Sequence, residues 1–129
     1  MEYNSKNQFV EDFKKRTKSF SLRVIKLFQN LPKTDEARII GKQLLRSSTS
    51  VGANYRAACR ARSSAEFYAK ICIVVEEADE SAYWMELLIE AEIVNEKRIS
   101  DLLIEANEIL AVVSTARSTA DKNRKSKPN

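Results

Sequence analysis

An all-α fold, an antiparallel up-down-up-down four-helix bundle, follows from three features of the sequence. Two glycines and two prolines in 129 residues leave little to interrupt a helix, and both prolines lie outside the periodic stretches. Apolar residues recur at steps of three, four and seven in four successive segments, the spacing that gathers them on one helix face. No alternating β-branched run is bounded by hairpin turn signals. The length suits one hydrophobic core, so residues 1–120 are expected to form a single bundle domain, with residues 121–129 as a disordered basic tail.

The first helix is expected from about Gln8 to Asn30, with Phe9, Phe13, Phe20, Val24, Leu27, Phe28 and Leu31 on its inner face and Lys14, Lys15, Lys18, Arg23 and Lys26 opposite. Leu31-Pro32-Lys33 ends it, because proline disfavours helical backbone at the residue before it. Thr34 can cap the second helix, with Asp35 and Glu36 in the first turn where the helix dipole favours negative charge. That helix continues to about Ala61 along Ile40, Leu44, Val51, Tyr55 and Ala58. An interior Gly52 costs about 1 kcal/mol relative to alanine, so either a break between Ser47 and Gly52 or a close helix contact is expected there.

Ser63 and Glu66 form a capping box that starts the third helix, about Ser64 to Val94. Phe67, Ile71, Val74, Val75, Ala78, Ala82, Met85 and Ile89 form its main stripe, and Ala69, Ile73, Trp84, Leu87 and Ala91 make a second apolar line well round the cylinder. One stripe suffices for a small bundle, so the second calls for a further surface to cover it. Asn95 caps the fourth helix, whose apolar line is Ile99, Leu102, Leu103, Ala106, Ile109, Leu110 and Val113 and which fades near Ala120. The expected core is Phe13, Phe20, Val24, Leu44, Phe67, Ile71, Val74, Ala78, Met85, Leu103 and Leu110.

The net charge of +4 hides a strong segregation. Residues 1–62 carry 14 Lys and Arg against 5 Asp and Glu, whereas residues 63–120 carry 4 against 12. No run of about 18 apolar residues spans a membrane and no signal-like apolar segment opens the chain, which points to the cytoplasm. The chain has no histidine, which removes Ser-His and Cys-His nucleophile pairs and Glu-x-x-His di-metal ligands. Cys59 and Cys72 are too few for a structural zinc site, and phosphate-binding glycine loops are missing. A solvated helix face accounts for Glu76, Glu77, Asp79 and Glu80, which have no identifiable partner ligand. The expectation is therefore a non-enzymatic protein with no metal and no cofactor.

The stretch from Gln43 to Leu88 joins a segment of small residues (Ser47, Ser48, Ser50, Gly52, Ala53, Ala57, Ala58, Ala61), which lets a neighbouring helix approach closely, to the helix with the single tryptophan. Its runs LLRSSTSVGANYRAACRA and EADESAYWMELL resemble the four-helix-bundle family named after proteins encoded in intervening sequences of 23S ribosomal RNA genes. The accessory protein of diversity-generating retroelements has a related bundle. The likeness covers roughly Phe9 to Ser118 and is most specific at Gly52-Ala53-Asn54-Tyr55-Arg56 and at Glu77-Ala78-Asp79-Glu80 with Tyr83-Trp84. Similar members carry an acidic residue after the Asn-Tyr-Arg run, where this chain has Ala57, so no role of that carboxylate carries over. The resemblance implies a homopentamer, with RNA or DNA and a reverse transcriptase or another nucleic-acid enzyme as partner classes.

Two functional readings remain open at this point. In one, Lys14, Lys15, Lys18, Arg23, Lys26, Lys42, Arg46, Arg56, Arg60 and Arg62 bind nucleic acid. In the other, the charge segregation serves self-assembly alone, basic half against acidic half of the next subunit, in a heterologous contact that closes into a ring. The expected subunit interface is Ile73, Trp84 and Leu87, rimmed by Glu80 and Tyr83. Trp84 could instead stack on a base. Asn54-Tyr55-Arg56 could form a recognition point, or Asn54 could bond across helices with Tyr55 in the core.

Overall fold

The computed structural model describes residues 2–126, with side chains from residue 5 onward. Four helices account for nearly all of it: α1 (Glu2–Gln29), α2 (Asp35–Cys59), α3 (Ser64–Glu90) and α4 (Glu96–Ser126). Short turns join them, so each helix runs antiparallel to the one before it. The packing is most extensive between α2 and α3 and between α3 and α4, while α1 leans on α2 and touches α4 least.

The helix starts follow their caps. Ala37 donates its N–H to Thr34 Oγ1 at 3.3 Å, Glu66 to Ser63 Oγ at 3.0 Å, and Lys97 to Asn95 Oδ1 at 2.9 Å. The Glu66 carboxylate reaches back to the N–H of Arg62, one residue beyond the N-cap, at 3.5 Å. α3 stops at Glu90 rather than near Val94. Glu92 takes φ 59°, its N–H donates to Ile89 O at 2.9 Å, and Ile93 N–H donates to Leu88 O at 3.0 Å. This is the Schellman arrangement, and once the chain has turned left-handed at Glu92 the helix cannot continue.

α2 is unbroken through Ser47–Gly52. Gly52 packs on the α1 backbone, where a Cβ would lie 3.5 Å from the Thr17 carbonyl oxygen, an ordinary contact that small residues make possible. Buried hydroxyls line the same small-residue seam. Ser21 Oγ reaches Ser48 O at 3.0 Å, while Ser47 and Ser81 bring their hydroxyls to 2.9 Å between α2 and α3. Ser81 also reaches Glu77 O at 2.8 Å and Ser47 reaches Leu44 O at 3.2 Å, so both hydroxyls are satisfied although fully buried.

Most of the expected core is buried, including Phe13, Phe20, Val24, Leu44, Ile71, Val74, Ala78 and Met85. Leu103, Leu110 and Phe67 are corrections, being only half-buried. α4 turns Leu102, Ala106, Ile109 and Val113 inward, which leaves Leu103 and Leu110 on the flank. Phe67 lines a cavity of about 460 Å³ at the end of the bundle where α1 and α4 part, together with Phe9, Val10, Tyr55, Cys59 and Val112. The tail is a further correction, since α4 runs to Ser126. Ala120 is buried, Arg124 lies 4.1 Å over the Tyr68 ring, and Asp121 pairs with Arg124 and Lys125 at 2.9 and 3.0 Å. Residues 127–129 of the expected tail lie outside the described residues.

Candidate nucleic-acid interface

The register of α1 against α2 places the basic residues. Thr17 meets Gly52, Ser21 meets Ser48, and Phe28 and Leu31 meet Gly41, so the two helices run side by side over most of their length. On the outside of this seam Lys14, Lys15, Lys18 and Arg56 converge on one groove of about 620 Å³, floored by Gly52 and Ala53. No carboxylate lines it. Lys14 also pairs with Glu11 at 3.3 Å, on a side chain more than half exposed. The two hydroxyls of the groove point their hydrogens inward, Ser21 to main-chain oxygens of Thr17 and Ser48 and Thr49 to those of Leu45 and Arg46. Only the ammonium and guanidinium groups therefore face an anion with donors.

The other expected basic residues lie in separate settings. Lys42 is exposed further along the same seam, beside Phe28 and Pro32, and Lys26 is exposed near the end of α1. Arg23 is exposed, and its charge adds to the Arg16 hydrogen bond that chiefly holds the Glu105 carboxyl below the ordinary range. Arg46 is bound by α3, with Nη1 at 3.0 Å from Glu77 and Nη2 at 2.6 Å from Glu80. Those hydrogen bonds, to Glu80 first, raise the Arg46 pKa and lower that of Glu80. Arg60 caps the end of α2, and Arg62 sits in the turn beside a second cavity lined by Ser63, Phe67 and Asn123.

One long-range ion-pair cluster carries no signature in the order of residues. Arg16 holds Glu105 with two 2.7 Å bonds and Glu108 with a third, also 2.7 Å, tying α1 to α4 across 89 and 92 residues of chain. Asn54 bonds within α2, its Nδ2 donating to Ser50 O and Oγ at 3.0 and 2.8 Å. Tyr55 is core, edge-on to Phe13 with ring centroids 4.8 Å apart. Burial pushes the Tyr55 hydroxyl and the Cys59 thiol upward, so neither is primed as a nucleophile. Among the described residues no three acidic or thiol groups gather to hold a metal.

The outer face of α3 is an acidic strip of Glu76, Asp79, Glu86 and Glu90 with Tyr83, 52% exposed, in its middle. Tyr83 meets Trp84 edge-on at 5.1 Å, and Trp84 Nε1 donates to Glu80 at 3.2 Å. Trp84 and Leu87 are half-buried and Ile73 is 36% exposed, so Ile73 and Tyr83 are the more open members of the expected interface. No helix is long and apolar enough to cross a membrane among the described residues.

Fold and surface together define a charge-segregated antiparallel four-helix bundle with one basic seam and one acidic strip. The family model described as 23S rRNA-intervening sequence protein matches residues 11–115, and the chain belongs to that family. A similar solved structure is a protein with unknown function from the S23 ribosomal protein family of Bacteroides thetaiotaomicron VPI-5482. It is 32% identical with a TM-score of 0.78, over 84% of this chain and 97% of the other. No curated protein matches the chain.

Proposed function

We propose that this protein is a non-catalytic homo-oligomeric scaffold that binds nucleic acid through its α1/α2 seam. Five subunits in a ring, a cytoplasmic setting and a nucleic-acid enzyme such as a reverse transcriptase as client complete the reading. The observation that carries it is the groove in which Lys14, Lys15, Lys18 and Arg56 meet without a lining carboxylate. Cations brought together on a folded surface repel one another, and a phosphate backbone relieves that repulsion while releasing its own counterions. With hydroxyl hydrogens turned inward, the groove offers charge rather than directional donors, which favours binding without base readout.

The test is salt-dependent binding of labelled DNA and RNA by the parent and by the triple variant Lys14→Glu, Lys15→Glu, Lys18→Glu. Log Kd should rise linearly with log salt for the parent, and the variant should lose affinity and slope, about 0.9 per phosphate contact removed. Equal binding at low salt by both proteins removes this reading. The assembly reading draws support from Tyr83 and Ile73, exposed on the acidic strip. It expects salt to dissociate the oligomer without any polyanion affinity, and light scattering on Tyr83→Ala and Trp84→Ala to report loss of the ring.

A further inference from the structure

We propose, resting on the nucleic-acid reading above, that the α1/α2 seam takes double-stranded nucleic acid, contacting phosphates of both strands across one groove, rather than single strands. The first ground is the spacing of cations. Lys14, Lys15, Lys18 and Arg56 form one cluster, and Lys26 and Lys42 stand at the other end of the same pair of helices. The α2 separation from Lys42 to Arg56 corresponds to about 21 Å at 1.5 Å per residue. That exceeds the widths of the major and minor grooves of B-DNA, about 12 and 6 Å, so the two clusters straddle a groove edge to edge.

The second ground is rigidity. The seam is held by Gly52 packed on the Thr17 backbone and by the Ser21 to Ser48 bond at 3.0 Å, so the distance between clusters is fixed. A duplex presents its phosphates at fixed separations, whereas a single strand must be ordered to match them. The third ground is what the seam lacks. Proteins that prefer single strands add aromatic platforms on which bases stack. Among the described residues no aromatic side chain lines the basic groove, and the exposed aromatics lie elsewhere: Phe9 opens into the apolar cavity between α1 and α4, and Tyr83 stands among carboxylates on α3.

The experiment measures fluorescence anisotropy of a labelled duplex of about 20 base pairs, as DNA and as RNA, against a single strand twice as long, so that the phosphates are equal in number. One or both duplexes should bind at least about fivefold more tightly than the matched strand, and the binding duplex names the polymer. The exposed pair Lys26→Gln with Lys42→Gln should weaken duplex binding severalfold and lower its salt slope by roughly two contacts' worth, about 0.9 each. Phe9→Ala should leave it unchanged. Tighter binding of the single strand, or loss of binding in Phe9→Ala, overturns the duplex assignment and leaves the nucleic-acid reading standing. Binding of no probe takes down both.

Discussion

Truncating two phenylalanines of α1 and α3 should separate a closed core from an open one. Phe20 is 1% exposed and surrounded by the bundle, so Phe20→Ala removes its buried ring and leaves a void, a loss of about 3–5 kcal/mol. Phe67 is half-buried and already borders the cavity where α1 and α4 part, so Phe67→Ala widens an existing opening. Only the transfer of the buried half of the ring is lost, about 1–1.5 kcal/mol. With an unfolding entropy of about 2.1 cal/mol/K per residue, the chain loses about 0.27 kcal/mol per degree, so the melting temperature falls by roughly 15 °C for Phe20→Ala and 4–5 °C for Phe67→Ala. Thermal melts by far-UV circular dichroism at one fixed protein concentration measure both, since oligomerisation would otherwise shift the midpoint. A Phe67→Ala loss as large as that of Phe20→Ala refutes the reasoning, because it means the cavity is covered in solution. A Phe20→Ala protein melting within a few degrees of the parent refutes the stripe itself.

Two further expectations concern the helix contacts and the ion pair. Gly52→Ala places a Cβ at 3.5 Å from Thr17, an ordinary contact, and should gain up to about 1 kcal/mol of helix propensity; Gly41→Ala meets Leu31 Cδ1 at 2.6 Å and Phe28 at 3.1 Å and should lower stability instead, so the two melting shifts have opposite sign. The Glu105 carboxyl is held below its ordinary value by its bonds to Arg16, so its stabilisation is fully present above about pH 4.5 and disappears as the pH falls through the lowered value. Melting temperatures of the parent and Glu105→Gln should differ at neutral pH and converge in acid; a gap that persists at pH 2 contradicts the assignment.

The helix starts were legible because capping is local: Thr34, Ser63 and Asn95 act within three residues of themselves. The rotation of α4 was not, because Leu102-Leu103 and Ile109-Leu110 are adjacent apolar pairs and periodicity cannot choose between neighbours. Composition misjudged the end of α4, where a polar basic sequence is held as helix by Ala120 in the core and Arg124 on Tyr68. For the candidate site, the basic character of the first two helices was legible. The distribution of those cations was not, since Arg46 is directed by Glu77 and Glu80, carboxylates distant in sequence.

The uneven packing of the four helices bears on how the molecule opens. α1 has one broad partner, α2, and meets α4 only thinly, with the Arg16 clamp as their strong polar tie. The amides of α1 should therefore exchange with solvent through partial openings that leave α2, α3 and α4 together, well below the free energy of global unfolding. Half of the basic seam rides on that loosely held helix. A polyanion bridging α1 and α2 would act as an external strap, raising the exchange protection of α1 above that of the free protein while leaving α3 as it was.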